Sequence, residues 1–371
     1  AGFGPQAPWS VKAKVTQLQL DSRLRACLPE PLQERWDEFQ PLGQVDADMD
    51  VTWDGRRLDM AASTATVELN DVAFTYAKFP YPLDRGRGKL KIEGDVLSID
   101  VTARVGDRPL WMRGSIKQPL DAPRGRCEAR GEDLPVDFGD ERLLRALAAM
   151  NDPTRGVVQS LSPRGLCDFG FRAWRDAPDG ETFHEFTIDL KDFSICFDRF
   201  RYPVRQIQGR IERFADGRWA FRDLRGTNDT AQIACNGNLA EGPRGKQLSL
   251  VLQGKNVLLE DNELRGALKP SMQQAWDNLD PRGMIDFETD VTWQVGSRTP
   301  HLVVIAWPHR ENTSIKPRMF PYQMERLEGT FVYRDGQVLF DRFAAWHGRT
   351  RLSGKVHWNF LPDGSWNFRI E

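Results

Sequence analysis

The sequence has no run of about 18 or more apolar residues, so no segment is built to cross a bilayer as a helix. It has no surplus of basic charge. Lys and Arg number 51 against 53 Asp and Glu, a net charge of −2, which argues against a nucleic-acid binder. Cysteine is scarce. Cys27, Cys127, Cys167, Cys196 and Cys235 are odd in number, form no CxxC and do not recur in step, so a disulfide framework is excluded and they read as small buried apolar residues. His184, His301, His309, His347 and His357 make no HExxH and read as surface or edge residues. GxSxG, Walker A and GxGxxG are all missing. Asp46, Asp48 and Asp50 lack the glycine that a calcium loop needs at its sixth position, and they read as solvated charge. The expectation is therefore a non-enzymatic protein with no catalytic residue, no metal and no cofactor. The start, AGFGPQAPWS, has neither a basic n-region nor an apolar h-region of a signal peptide. With a last strand-like run cut at Glu371, it reads as a segment of a longer protein.

What the sequence does have is repetition. FPYPLDRGRG (Phe79–Gly88) returns as FRYPVRQIQG (Phe200–Gly209) and FPYQMERLEG (Phe320–Gly329). Upstream, Leu24–Trp53 aligns without a gap to Leu264–Trp293, and a looser copy runs over Leu143–Trp174. Pro41, Gly43 and Asp46 match Pro163, Gly165 and Asp168, then Pro281, Gly283 and Asp286. Turn-rich stretches at Pro119–Gly125, Glu241–Gly245 and Leu361–Gly364 separate the copies. The organisation expected is three repeats of about 120 residues, 1–119, 120–242 and 243–364, with a fourth beginning at 365–371. Together they make one continuous array.

Within a copy, Leu24, Leu28, Leu32, Trp36 and Phe39 fall on one face of a helix of about sixteen residues. Leu264, Leu268, Met272, Trp276 and Leu279 do the same in the third copy. Asp21, Asp140 and Asp261 precede these helices and suit N-caps. The period then changes to two: Val45, Ala47, Met49, Val51 and Trp53 alternate with Asp46, Asp48, Asp50 and Thr52. Five or six strands per copy follow, joined by turns such as Arg334–Gln337 (RDGQ). The fold class is mainly β with one helix per repeat, an elongated, twisted antiparallel sheet.

Recurrent glycines share the apolar phase of these strands. Gly88 leads Leu90 and Ile92, Gly209 leads Ile211, and Gly329 leads Phe331 and Tyr333. Gly114, Gly237 and Gly354 sit in the final strands of the copies. Glycine inside a strand costs roughly 0.5–1 kcal/mol against Ala, so it needs a reason: a bend, or close approach by another group. One helix per copy is too narrow to cover such a sheet, so either the sheet folds over into a sandwich or barrel or part of its apolar face stays open as a groove. With Phe287 and Val291, these thirteen residues are the expected groove lining.

The stretch from Phe79 to Ile116, a short strand leading to a glycine, a turn, a strand and a last strand with glycine, resembles the repeat of AsmA-like and TamB-like bacterial envelope proteins. Those belong with the repeating β-groove, or bridge-like lipid transfer, proteins. The resemblance covers the strand portions of all three copies, and the helix block with Trp36 and Trp276 departs from it. It implies a conduit whose apolar gutter carries phospholipid or other acyl chains between membranes. It also implies a periplasm-facing place in the cell envelope, anchored to the inner membrane by a segment outside this sequence. Two other classes compete: an envelope scaffold or outer-membrane assembly factor pairing partner strands at its sheet edges, and a carbohydrate-binding or hydrolytic array using Asp286 and Glu288.

Overall fold

The computed structural model describes residues 7–56, 58–149, 156, 159–297, 299–360 and 366–371. The expected connector at Leu361–Gly364 and the middle of the second copy's helical block lie outside the described residues. The chain forms two compact units. One gathers residues 1–155, 166–189 and 212–216; the other gathers 156–165, 190–211 and 217–371.

Both units are mainly β, antiparallel and open. In the first, β1 (Trp9–Leu20), β2 (Leu42–Trp53), β3 (Thr64–Tyr76), β4 (Phe79–Glu93), β5 (Val96–Val105), β6 (Arg108–Lys117) and β7 (Arg124–Asp137) each pair antiparallel with the next. β8 (Arg164–Arg175), β9 (Phe183–Phe197) and β10 (Phe200–Arg213) carry the chain from one unit to the other, and β9 pairs with β10. In the second unit the meander continues through β11 (Trp219–Asn228), β12 (Ala231–Gly242), β13 (Gly245–Leu258), β14 (Met284–Gln294) and β15 (His301–Pro308). It ends with β16 (Glu325–Arg334), β17 (Gln337–His347), β18 (Thr350–Phe360) and β19 (Trp366–Ile370). The stretches at Pro119–Gly125 and Glu241–Gly245 are turns between paired strands, so the sheet runs through them. The Asp335–Gly336 turn, both residues at positive φ, joins β16 to β17 as a hairpin.

Helical segments follow β1, β7 and β13. The expected sixteen-residue helix is corrected to two short ones. In the first copy they are Ser22–Cys27 and Glu30–Phe39, with Leu28 extended between them at φ −78, ψ 150. In the third they are Asn262–Ala267 and Pro270–Leu279, with Leu268 and Lys269 extended. Proline is the reason. A residue before proline is pushed out of the α region by its ring, as at Leu28 before Pro29 and Lys269 before Pro270. The helical spacing of the apolar residues survives this break, which is why periodicity alone missed it. The caps follow expectation. Asp21 accepts from the N–H groups of Arg23 and Leu24 (both 2.9 Å), Asp140 from Arg142 (2.8 Å) and Asp261 from Glu263 (2.7 Å). A bidentate ion pair ties each helix pair together, Arg25–Asp37 in one copy and Arg265–Asp277 in the other.

Strands bend at matching distances before the three recurrent glycines. Three residues before the recurrent glycines, Arg85, Gln206 and Arg326 sit at φ 54, 53 and 51, and Gly88, Gly209 and Gly329 sit at φ 128, 133 and 129. The β4–β5 register slips between Asp84 and Arg87, and the β16–β17 register slips between Glu325 and Glu328. These are bulges, which kink a strand and tighten its twist.

A candidate ligand-binding face

The strand registers of the first unit assemble one face of the sheet into rows. One row reads Val15, Ala47, Val67, Leu90, Ile99, Gly114 and Cys127. The next reads Ala13, Met49, Ala65, Ile92, Leu97, Ile116 and Gly125. A third, nearer the helices, reads Leu18, Val45, Leu69, Gly88, Val101, Met112 and Ala129. None of the three contains a charge. Across seven strands at about 4.8 Å spacing, such a row is about 29 Å long.

The second unit repeats the pattern. Phe221, Gly237, Leu250, Val291 and Leu302 form one row. Gly254, Phe287, Ala306, Phe331, Phe340 and Val356 form another, and Cys235, Leu252, Thr289, Val304, Tyr333, Val338 and Trp358 lie between them. Gly354 pairs with Phe343 in the same phase. Gly209 lies against the Leu224 backbone, and Ile211 is two residues further along the same face. Each expected groove residue thus falls on the apolar face of its own unit.

The helices cover one end of this face. Leu24 and Trp36 pack on Leu20, Val45 and Val72, and Leu264 and Ala267 pack near Tyr202, Ile233 and Val257. Beneath them Leu20 and Val72 are buried, and Ala103 and Leu110 are buried further along the sheet. Away from the helices, Leu90, Ile92, Leu97, Ile99 and Ile116 are only partly buried. Among the described residues no side chain larger than valine or threonine is fully buried. The chain exposes 22,818 Å². A compact monomer of 42.4 kDa exposes about 15,000 Å², and two halves of that mass taken separately about 18,000 Å².

The opposite face is charged. Lys12–Asp50 (3.1 Å), Arg87–Asp71 (3.1 Å), Arg113–Asp100 (3.2 Å) and Lys89–Glu68 (3.6 Å) cross between strands on it. Exposed pairs of this kind add little stability but keep that face wet. A concavity of about 330 Å³ is lined by Arg130, Glu132, Asp168, Arg172, Glu185 and Asp189 together with Phe169 and Phe171, so charged and aromatic side chains share it.

The glycines answer to the backbone, not to a guest. A Cβ on Gly88 would stand 2.2 Å from the Asp100 carbonyl oxygen, and one on Gly237 would stand 2.3 Å from that of Ser249. The adjacent strand already fills the space, so these positions permit bends and close strand approach.

One recurrent residue has a role that alternation hid. Asp46 is not simply solvated. Its carboxylate accepts the N–H of Gln17 at 2.7 Å, where β1 bulges at φ 55. Asp168 does the same for Asp133 (2.9 Å, φ 51), and Asp286 for Asn256 (2.8 Å, φ 55). A bulge leaves an N–H without its ladder partner, and a carboxylate from the next strand supplies one. The Gln17 N–H is the main cause holding the Asp46 carboxyl below its ordinary range. Burial pushes Asp286 upward, but the Asn256 N–H and the His309 ring at 2.8 Å outweigh it, and its carboxyl also lies low. The recurrence of Asp at this step was the signal in the sequence.

These bonds weigh against hydrolysis by Asp286 and Glu288. The first is engaged by Asn256 and His309, and the second accepts from the Gln253 amide at 3.0 Å. Among the described residues no group of His, Cys, Asp and Glu is arranged to hold a metal. Burial raises the Cys127 thiol and pushes Cys235 up to about 11, which fits apolar packing for both. Asn228, in a glycosylation sequon, is buried, and its amide donates to the Pro203 carbonyl and the Glu263 carboxylate. No helix of the described residues is long and apolar enough to cross a membrane. No protein-family model, curated protein or solved structure matches this chain.

Proposed function

We propose that the uncovered part of the apolar face binds acyl chains, and that the protein is a non-enzymatic lipid conduit. The observation that carries this reading is the set of charge-free rows whose residues away from the helices are only partly buried, in a chain with an excess of accessible surface. Exposed apolar surface of that extent calls for an apolar occupant. A chain laid along a row gains about 0.8 kcal/mol per buried CH₂ with no single tight site, while its headgroup stays in water.

The finer architecture belongs to the same proposal. Three tandem copies of a six-strand unit, each with its helical block after the first strand, make an elongated, twisted groove, with 1–119, 120–242 and 243–364 as the copies. Support comes from the matched bulges at Arg85, Gln206 and Arg326 and the matched aspartates at 46, 168 and 286. The envelope setting, transfer between membranes and an anchor elsewhere rest on the resemblance to AsmA-like and TamB-like proteins.

Purified protein should carry phospholipid that mass spectrometry detects after extraction. Leu90→Asp with Ile99→Asp puts two charges in one row, and bound lipid should fall several-fold while the circular dichroism spectrum is kept. A lipid-free preparation that also takes up no fluorescent phospholipid would sink the conduit reading. Equal lipid in the variant would place the lipid elsewhere. Recovery of a partner protein in place of lipid would favour an assembly factor.

A further inference from the structure

On the charged face of the second unit three guanidinium groups converge on one indole. Arg310, at the turn after β15, lies 5.1 Å from the Trp346 ring centroid. Arg351 of β18 lies at 5.5 Å and Arg326 of β16 at 5.7 Å. The registers explain the meeting. Trp346 is cross-strand partner to both Arg351 and Glu325, and the positive φ of Arg326 (51) at the bulge turns its side chain to the same side.

Three like charges around one ring repel one another. The indole quadrupole offsets part of that. One charge has an anionic partner, since Arg310 donates to Glu328 at 2.9 Å. Glu325 stands on the same side, cross-strand from Trp346. Among the described residues Arg326 otherwise reaches the Gly348 carbonyl, at 3.5 Å. Arg326 and Arg351 therefore present two exposed forks that pair with no carboxylate among the described residues, held in place by an aromatic platform. Guanidinium forks match tetrahedral oxyanions, donating paired N–H bonds, and Arg is the residue that recurs where phosphate is recognised.

We infer that Arg310, Arg326 and Arg351 around Trp346 form a binding site for a phosphate group. The site lies on the face away from the apolar rows and does not depend on the conduit reading. The phosphate could come from a soluble phosphate compound or from a lipid headgroup, and the two arms of the test separate them.

The test uses the whole chain, wild type and Arg326→Gln/Arg351→Gln, with calorimetric titration of inorganic phosphate and flotation with phosphatidylcholine vesicles with or without phosphatidylglycerol. Arg282→Gln, an arginine paired with Asp280 outside the cluster, is the control. Phosphate binding should weaken about tenfold in the double variant and stay unchanged in the control. If the double variant also loses the preference for anionic vesicles, the phosphate is a lipid's. If that preference is unchanged, the ligand is soluble. Absence of phosphate binding by the wild type, equal binding by the double variant, or equal loss in the control would each overturn the proposal. All three arginines are exposed, and a thermal melt checks that the variants fold.

Discussion

Two strips of one sheet face, side by side in the first unit, are built from the same residue types and differ in what lies over them. Leu20 and Val72 belong to the strip near the helices and are 8 and 2% exposed. Leu90, Ile99 and Ile116, a few residues along the same strands or their neighbours, are only partly buried. Both strips alternate with polar residues and both are free of charge. The alternation therefore says which face is apolar and nothing about whether that face is covered. The bulges fall near the border: β1 and β2 slip between Val15 and Leu18, and β3 and β4 slip between Asn70 and Val72.

The largest expected effect breaks the comparison by placing the same charge in both strips. Val72→Asp should cost about 4 kcal/mol or more, because a carboxylate under Leu24 and Trp36 has no partner. Leu90→Asp should cost about 1 kcal/mol or less. Urea unfolding of the two variants checks this, and equal losses would mean that both strips are covered.

A second test concerns glycine in two settings. Gly88→Val forces a side chain into the Asp100 carbonyl at φ 128 and should cost about 3 kcal/mol. Gly266→Ala, in a helix with nothing within 4 Å of the new methyl, should stabilise by about 0.5–1 kcal/mol. Thermal melts with opposite shifts would separate backbone need from idle glycine.

The smallest effect is on pH dependence. The Asp46 and Asp286 carboxyls lie below their ordinary value in the folded state. Groups with a depressed folded pKa give stability that is complete above the unfolded value, about 3.9, and is lost as pH falls through the folded one. Urea midpoints should therefore drop below about pH 4. Asp46→Asn with Asp286→Asn should flatten that drop and leave the midpoint above about pH 6 little changed in slope. An unaltered acid limb would remove these carboxylates from the account of the bulges.

Much of the fold was legible in the sequence. Alternation located the strands and their apolar face, turn residues such as Asp335–Gly336 marked a hairpin, and Asp21, Asp140 and Asp261 marked helix starts. The broken helix was misread because Leu28 and Leu268 keep the apolar spacing while Pro29 and Pro270 end the hydrogen-bond ladder. Asp46 was misread because a carboxylate on a wet face looks solvated until the neighbouring strand's bulge is seen.

The chain by itself determined the local features: periodicity, caps, turns and the glycines at bends. Each depends on residues near one another in sequence and on φ/ψ preferences that any chain obeys. Tertiary structure alone decided which strip the helices cover, which N–H each recurrent aspartate receives, and that Arg310, Arg326 and Arg351 meet over Trp346. Those contacts join distant residues through strand register. A one-residue slip would send every side chain to the other face.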